Sequence, residues 1–417
     1  MMNNKVIIIG GGASGMVAAI QAKKNGNDVT IFEANKKPGR KILVTGNGHC
    51  NLTNKDIKPD MFYSDDMTFI KELIKRFSYK DTLSFFNSIG LLTREKKNLI
   101  YPMSNQARSV VEALESQCHI LGVKFIHKHV KTIEKIQKHM FSIKTDDGMM
   151  HSCDKLIIAC GSAAGNKEYS NEGIIDYIKK TGHDYKTMVP ALCGLCCDEK
   201  SFFSKVKGIR SDVKVSVLIN DEEIKIPHND TEGELQLTEY GLSGIVIFQI
   251  SSIVSRALRS NNKVTVVVDF LPDFEDVVVI ANLLLSQDYA AKKNLMDINR
   301  GILNEDLSKE LVIRYAEEIN RKDLTISKKN ITAAELISFL SYLKSVKFEI
   351  SKVNPSNAQI YTGGVSTKDI NPLTMESKRV SGLYIIGEML NAEGICGGYN
   401  LQLAWSEGYI AGGSIRL

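Results

Sequence analysis

The chain has 417 residues, of which 43% are hydrophobic and 24% are charged, and its formal net charge is +5. Domains usually contain ~100 to 200 residues, so two or three hydrophobic cores are expected. The chain has no run of ~20 apolar residues, which argues against a membrane span. Glycines interrupt its apolar start, so no export signal is predicted and a cytoplasmic location is expected.

Eight cysteines are scattered along the chain without the regular spacing of a disulfide framework, which is typical of reduced thiols in the cytosol. Three of them, Cys193, Cys196 and Cys197, lie close together in the sequence. A zinc site usually needs a fourth ligand, and no second CxxC pair or CxxH partner lies nearby. No metal site is therefore predicted.

The start of the chain predicts a strand, a helix and a second strand. Residues 5–10 (KVIIIG) are a continuous apolar run that ends at glycine, as a buried parallel strand does. Residues 13–25 have apolar side chains at helical spacing, and Gly26 offers a stop signal. Residues 28–34 complete a βαβ unit, which is the nucleus of a dinucleotide-binding fold.

A GxGxxG motif, formed by Gly10, Gly12 and Gly15, lies directly between the predicted strand and helix. Gly10 permits a tight turn, Gly12 lets the backbone approach a pyrophosphate, and Gly15 lets the helix pack on the strand. The start of the helix, at Ala13 and Ser14, supplies free N–H groups and positive potential for the phosphates. This turn is therefore a predicted pyrophosphate site.

The second strand ends at Glu33 and Ala34, which are further predicted cofactor contacts. The Glu33 carboxylate can accept hydrogen bonds from ribose hydroxyls, and it repels a 2′-phosphate. The expected dinucleotide is therefore FAD or NAD rather than NADP.

The segment after this strand, KKPGRKILVTGNGHCNLTN, is too rich in Gly, Asn and Thr for a buried strand or a regular helix. It is predicted to be a loop that wraps around a ligand. The residues expected to reach the pyrophosphate are Gly39, Arg40 and Lys41. Those expected to offer donors to the carbonyl groups of a flavin ring are Thr45, Gly46, Asn47, Gly48 and Asn51.

The rest of the chain predicts an α/β protein with an inserted middle segment. Helical stretches are predicted at 68–89 and 105–121, and the pattern changes to short alternating strands near residue 190. We predict a dinucleotide domain from 1–189 and 356–417, a β-rich, barrel-like substrate domain from 190–272 with about 345–355, and a helical domain from 273–344. A last helix near Tyr399 is expected to point its N-terminus at the pyrimidine edge of a flavin.

Four segments resemble the BaiN-like, or aminoacetone-oxidase-type, FAD flavoproteins over the whole chain: GGGASGMVAA, GRKILVTGNGHCNLTN, YTGGVSTKDINPLTMESK and GLYIIGEMLNAEGICGGYNLQLAWSEGYIAG. The resemblance implies a Rossmann-like FAD-binding domain built from both termini, with a β-rich and a helical domain inserted. It also implies that the Val130 backbone touches the adenine end. The residues that it places beside the flavin are Gly161, Gly387, Glu388, Asn400, Leu401 and Gln402.

Relatives of this kind are associated with reduction of C=C bonds conjugated to a carbonyl, in steroid-like enones and in the uracil of ribosomal RNA, and with amine oxidation. In the reductive reactions, hydride from flavin N5 goes to the β carbon and an acid protonates the α carbon. Cys50 and Cys396 are the predicted proton donors, with His49 and Tyr399 as secondary candidates. His49 stands where many relatives have arginine, so no charged role is transferred to it.

The chain has no second GxGxxG after a strand, so NAD(P)H is expected to visit the flavin only transiently. An oxygen-using amine oxidase and a redox-responsive binding module remain alternatives. A basic stretch at 124–144 slightly favours RNA as the substrate, although a solvated face is the more common explanation of such a stretch, and the acidic balance of the inserted segment slightly favours a neutral small molecule. Its lysines, which accompany a single acid, Glu134, are Lys124, Lys128, Lys131, Lys135, Lys138 and Lys144.

Overall fold

The computed structural model describes residues 3–137, 140–162, 170–226, 231–285, 294–299, 301–325 and 331–416. The chain divides into two compact units. The first combines Met1–Val189 with Gln359–Leu417, and the second is Pro190–Ala358. Each unit contains its own hydrophobic core.

The α-helices of the described ranges are, in chain order, α1 (Ala13–Lys24), α2 (Arg40–Val44), α3 (Met67–Arg76), α4 (Tyr79–Ser88), α5 (Ala107–Ile120), α6 (Glu172–Lys180), α7 (Lys200–Val206), α8 (Ile245–Arg259), α9 (Val277–Leu285), α10 (Leu295–Asn299), α11 (Glu305–Glu318), α12 (Ala333–Leu343) and α13 (Tyr399–Ser414). The β-strands are β1 (Lys5–Ile9), β2 (Asp28–Phe32), β3 (Thr53–Asn54), β4 (Phe62–Ser64), β5 (Thr93–Lys96), β6 (Leu99–Pro102), β7 (Lys124–Ile126), β8 (Val130–Gln137), β9 (Met140–Thr145), β10 (Met150–Cys153), β11 (Lys155–Ile158), β12 (Tyr185–Ala191), β13 (Leu195–Cys196), β14 (Arg210–Ile219), β15 (Glu222–Glu223), β16 (Glu232–Thr238), β17 (Gly241–Ser243), β18 (Val264–Asp269), β19 (Val346–Glu349), β20 (Lys352–Val353), β21 (Ile360–Val365), β22 (Leu383–Ile385) and β23 (Ala392–Gly394).

A parallel sheet with the strand order β22, β11, β1, β2, β7 lies at the centre of the first unit. Strand β1 is buried along most of its length, as its unbroken apolar run predicts. Because neighbouring strands are parallel, the loops after Ile9, Phe32, Ile158 and Ile385 leave the sheet at the same edge. Strand β22 comes from the C-terminal part of the chain, so the predicted Rossmann-like fold built from both termini is confirmed.

The helical stretch predicted at 68–89 is two helices rather than one. Helix α3 ends at Arg76, and Ser78 caps the start of α4. The Ser78 backbone N–H donates to the Asp81 carboxylate at 2.8 Å, which completes a reciprocal capping box. The capping box satisfies backbone N–H groups that would be bonded to the preceding turn in a continuous helix. The break between α3 and α4 is therefore stable.

Helices α1 and α13 pack with unusually close backbones. A Cβ atom added at Gly408 would lie 2.4 Å from the Ser14 carbonyl oxygen, and one at Gly412 would lie 2.1 Å from the Ala18 carbonyl oxygen. Only glycine fits at such distances. The Asn25 side chain extends this contact, because its Nδ2 donates to the Ile415 carbonyl at 3.1 Å.

We expect Gly408→Ala to lower the free energy of unfolding by about 1 to 3 kcal/mol, the usual cost of overpacking a tight contact. Gly413→Ala is the matched control, since nothing lies within 4 Å of a Cβ at that position of the same helix. We expect Gly413→Ala to raise the free energy of unfolding by about 0.5 to 1 kcal/mol, because alanine has the higher helix propensity and meets no clash there. Thermal melts of both variants test this, and equal melting temperatures would contradict it.

In the second unit, the strands β19, β18, β14, β16, β17, β13 and β20 form one antiparallel sheet, and β15 pairs with β14. The described helices α9 to α12 share a hydrophobic core with this sheet, which includes Val266, Leu311 and Phe339. The separation of this segment into a β-rich and a helical domain stays a prediction. None of the helices in the described ranges has the length and apolar content needed to cross a membrane.

Candidate active site

The glycine turn before α1 leaves open space at one position only of its GxGxxG motif. A Cβ at Gly10 would lie 2.4 Å from the Ala159 carbonyl oxygen, and one at Gly15 would lie 2.0 Å from the Gly10 carbonyl oxygen. Nothing lies within 4 Å of a Cβ at Gly12. Gly10 and Gly15 are thus required for packing, whereas the space at Gly12 is available to a ligand.

The N-terminus of α1 has no side-chain cap. Gly12 is the N-cap residue, and the first backbone bond of the helix runs from Met16 N to Gly12 O at 3.1 Å. The N–H groups of Ala13, Ser14 and Gly15 therefore have no partner within the helix. Uncapped N–H groups beside open space suit the phosphate oxygens of a dinucleotide.

Glu33 is buried next to this turn, with 7% of its surface exposed. Its Oε2 accepts a hydrogen bond from Gly11 N at 2.8 Å, and its Oε1 accepts from the backbone N of Asn35 at 2.8 Å. Oε1 also accepts a hydrogen bond from Asn35 Nδ2 at 2.6 Å, so Oε2 is the oxygen that retains capacity to accept another. The carboxylate is thus oriented by the backbone before any ribose hydroxyl reaches it, while Ala34 beside it is half-buried.

Lys41 pairs with Glu388, across 347 positions of the sequence. Its Nζ lies 2.5 Å from both carboxylate oxygens, and Ser162 Oγ donates a hydrogen bond to the same group. The Lys41 charge is therefore already balanced by a carboxylate. Its contact with the pyrophosphate stays a prediction, as do those of the exposed Arg40 and of Gly39, which packs against Val111.

The loop at 45–51 turns through residues with positive φ, which are Gly46, Asn47, Gly48 and Cys50. Gly46 and Asn47 are exposed, and the Thr45 hydroxyl donates to Ile42 O at 2.6 Å. A contact between this loop and a flavin ring stays a prediction.

Cys50 has no exposed surface, so the structure argues against its predicted role as proton donor. Burial raises the pKa of its thiol to about 12, although a hydrogen bond with Thr45 acts in the opposite direction. A thiol that no substrate can reach contributes by packing.

Helix α13 begins at Tyr399, as the sequence predicts. Its N-cap residue Gly398 has a φ of 90° and no side-chain cap, and the first helical bond runs from Gln402 N to Gly398 O at 3.0 Å. The N–H groups of Tyr399, Asn400 and Leu401 therefore have no partner within the helix. Positive potential at this end favours negative charge on a nearby flavin.

The Gln402 side chain is expected beside the flavin, but its polar atoms are hydrogen-bonded to other groups of the protein. Its Oε1 accepts from Thr53 Oγ1 at 2.6 Å and from Thr82 Oγ1 at 2.8 Å, while its Nε2 donates to Phe77 O at 3.0 Å. Only 1% of the residue is exposed. Gln402 thus ties α13 to its surroundings, and its contact with the flavin stays a prediction.

The Asn400 side chain is also bonded within the chain, because it donates to Gly394 O at 2.7 Å and accepts from Gly394 N at 2.8 Å. Val130 is buried at the start of β8. Gly161 has a φ of 68° and nothing within 4 Å of a Cβ. No cofactor contact of these residues follows from the protein alone.

The remaining proton-donor candidates differ in how far their side chains are exposed to solvent. Cys396 is half-buried in the turn between β23 and α13, and His49 is exposed. The Nδ1 atom of His49 lies 2.8 Å from the Asn105 carbonyl oxygen and 2.9 Å from Asn105 Nδ2, so Asn105 positions the ring. Tyr399 is buried against Phe62, with ring centroids 5.6 Å apart. Cys396 and His49 stay predictions.

Sequence patterns do not reveal Asp65, which anchors the GGVST segment. It accepts hydrogen bonds from Ser366 Oγ at 2.6 Å and from Thr367 Oγ1 at 2.8 Å. Burial alone would raise the pKa of Asp65, but these hydrogen bonds outweigh burial and lower it. A lone aspartate in a loop has no sequence signal for such a role.

Glu407 is a second residue without a sequence signal. It lies on α13 with 1% of its surface exposed, and its Oε2 accepts from Gly387 N at 2.5 Å. Burial raises the pKa of this carboxyl to about 8, although the hydrogen bond from Gly387 acts in the opposite direction. Gly387 in turn lies against Ser14, since a Cβ there would be 2.6 Å from Ser14 Oγ.

This site defines an FAD-dependent oxidoreductase. Residues 4–414 match the family described as HI0933-like protein Rossmann domain. The chain is also 37% identical to a 3-dehydro-bile acid delta(4,6)-reductase of Clostridium scindens, with 98% of each chain covered. The chain therefore belongs to the HI0933-like Rossmann family, and the family resemblance of its motifs is confirmed.

Two further similarities are consistent with this assignment. A ribosomal RNA dihydrouridine synthase of Haemophilus influenzae is 30% identical over 98% of each chain. The solved 3-ketosteroid delta1-dehydrogenase of Sterolibacterium denitrificans covers 99% of both chains with a TM-score of 0.52 and 12% identity, which supports the fold alone.

FAD fits the residues present. The uncapped start of α1 and the open space at Gly12 would hold the pyrophosphate, and Glu33 would hold a ribose. The uncapped start of α13 would face the flavin ring. Bound FAD supplies hydride-transfer chemistry, whereas these residues bind and orient it.

We expect Gly12→Ala to weaken FAD binding at least ~10-fold, because its Cβ would enter the space for the pyrophosphate. The apoprotein should keep its melting temperature, since no protein atom lies within 4 Å of that Cβ. Flavin fluorescence titration and an apoprotein melt measure the two effects. Unchanged FAD affinity would place the pyrophosphate elsewhere.

We expect Glu407→Gln to flatten the dependence of stability on pH. The raised pKa means that the folded chain holds this proton more tightly than the unfolded chain. Its stabilising effect is complete below the unfolded pKa of ~4.5 and is lost as pH rises through about 8. At roughly 1.4 kcal/mol per pKa unit, the loss amounts to several kcal/mol.

Thermal melts from pH 5 to pH 9 measure the effect of Glu407→Gln. The exposed Glu112 provides the control Glu112→Gln, which should follow the wild-type profile. A Glu407→Gln profile as steep as that of the wild type would contradict the prediction.

Proposed function

We propose that the chain is an NAD(P)H-driven reductase of a C=C bond conjugated to a carbonyl, acting on a steroid-like enone. The observation that carries this proposal is its 37% identity, over 98% of each chain, to a protein named as a bile-acid reductase. The uncapped start of α13 supports it, because positive potential there stabilises the negative charge of a reduced flavin. Reduced flavin is the form that donates hydride.

The charge pattern favours a neutral small molecule over ribosomal RNA. In the basic stretch 124–144, Lys124 pairs with Asp28 at 3.3 Å and Lys128 pairs with Asp147 at 3.2 Å. Lys135 lies 5.7 Å from the centroid of the Phe141 ring, and Lys138 lies outside the described residues. Charges that are already paired contribute less to the phosphate contacts that dominate RNA affinity.

In this reaction the protein must protonate the α carbon after hydride reaches the β carbon. Cys396 is the first candidate for this role, because it lies in the turn just before α13 and is not fully buried. A thiol with an ordinary pKa of ~8.5 is mostly protonated at neutral pH and can act as an acid. The exposed His49 is the second candidate.

Anaerobic addition of NADH or NADPH to the yellow holoprotein should bleach the flavin bands within seconds. Addition of a steroid enone should then restore the colour with formation of the reduced product. Free FAD under the same conditions is the control for uncatalysed reduction. A flavin that stays oxidised, but is reduced by a small amine with peroxide release in air, would instead establish an amine oxidase.

A reductase that binds ribosomal RNA with a steep dependence on salt, and leaves enones untouched, would identify RNA as the substrate. A protein whose affinity for a partner changes with the redox state of the flavin, without substrate turnover, would be a binding module.

The free cysteines fit a reducing cytosol as the location.

A further inference from the structure

Asn391 is a buried residue with an unsatisfied hydrogen-bond donor. Only 2% of its surface is exposed, and its Nδ2 atom is shielded from solvent. This atom has no acceptor among the residues that the structure describes. Leaving a buried donor unsatisfied costs about 1 to 3 kcal/mol, so such groups usually meet a bound molecule. The Asn391 amide group therefore calls for an acceptor from outside the protein.

The backbone at Asn391 is held in place by hydrogen bonds. Asn391 N donates to Val365 O at 2.8 Å. The next residue, Ala392, pairs with Ser64 where strands β23 and β4 meet. These contacts fix the backbone that carries the amide group, so the position of the donor is largely set before a ligand arrives.

The segment 387–394, which contains Asn391, extends from the start of α1 to the start of α13. At one end, a Cβ at Gly387 would lie 2.6 Å from Ser14 Oγ, in the first turn of α1. At the other end, Gly394 N donates to Asn400 Oδ1 at 2.8 Å, in the first turn of α13. The same two helix starts fit the pyrophosphate and the flavin ring of FAD. The segment therefore follows the expected path of the cofactor, and Asn391 lies beyond Gly387 toward the flavin.

Room for a ligand is present beside the start of this segment. Gly12 and Gly161 each have nothing within 4 Å of a Cβ. Gly161 follows β11, whose neighbour β22 leads into the segment, and the adjacent Ser162 hydroxyl donates to Glu388. The described atoms therefore leave space for a cofactor along the first part of the segment.

We propose that Asn391 Nδ2 donates a hydrogen bond to an acceptor atom in the flavin-bearing half of FAD. That half consists of the ribityl chain and the isoalloxazine ring, and it carries hydroxyl, carbonyl and ring-nitrogen acceptors. The other half carries the ribose that Glu33 would hold, on the far side of the pyrophosphate. The proposal concerns the cofactor alone, so it applies to a reductase and to an oxidase alike.

The test replaces Asn391 by leucine, which has a similar volume but no hydrogen-bonding group. The Asn391→Leu apoprotein should melt no lower than the wild-type apoprotein, because the change removes an unsatisfied donor rather than a hydrogen bond. Its affinity for FAD, measured by flavin fluorescence titration, should fall ~10-fold or more. Its affinity for ADP, which lacks the flavin-bearing half, should stay within ~2-fold of the wild-type value.

Asn27 provides the matched control, because it is an equally buried asparagine whose amide group is satisfied within the protein. Its Nδ2 donates to Ala22 O at 2.9 Å and to Ile415 O at 3.0 Å, near the C-terminal ends of α1 and α13. Asn27→Leu should therefore show the opposite pattern. The melting temperature of its apoprotein should fall, and its affinity for FAD should stay within ~3-fold of the wild-type value.

The smaller variant Asn391→Ala removes the same donor without a branched side chain, so it tests the proposal even if leucine does not fold at this position. It should show the same contrast between FAD and ADP. Unchanged FAD affinity in Asn391→Ala would overturn the proposal, and so would equal losses of affinity for FAD and ADP. Apoproteins of both Asn391 variants that melt as low as Asn27→Leu would also overturn it, because the amide group would then be bonded within the protein.

Discussion

The close approach of α1 and α13 is the contact on which the first unit depends. The backbone carbonyls of Ser14 and Ala18 lie so close to Gly408 and Gly412 that a Cβ atom at either glycine would clash with them. The contact joins the two ends of the chain, and Asn25 strengthens it through a hydrogen bond to Ile415. Neither helix has a side-chain cap at its N-terminus. The two helices that pack together here are therefore also the two whose N-termini are predicted to face the cofactor.

Buried polar groups extend this contact into the candidate site. Two side chains of α13 accept hydrogen bonds: Glu407 from the Gly387 backbone N–H, and Gln402 from the Thr53 hydroxyl. A third, Trp405, donates to the Leu52 carbonyl. Each of these groups is satisfied within the protein, and burial makes each bond costly to lose. Helix α13 therefore anchors the glycine-rich loop with its inner face, and the contact of its N-terminus with the flavin stays a prediction.

Much of the fold and part of the site are predictable because their signals are local. The βαβ unit, the glycine turn at Gly12 and the start of α13 at Tyr399 each follow from residues within a few positions. The role of Cys50 is not predictable in this way, because a motif does not show whether a side chain points inward or outward. The structure buries this thiol completely.

The sequence by itself determined the class of cofactor and the way in which the chain returns to its first domain, because glycine spacing and apolar runs act through local geometry. Only the tertiary structure decided which polar groups remain available. Lys41 is paired with Glu388, whereas Asn51 Oδ1 has no donor among the residues that the structure describes. Such outcomes depend on contacts between residues hundreds of positions apart, and burial sets their energetic weight.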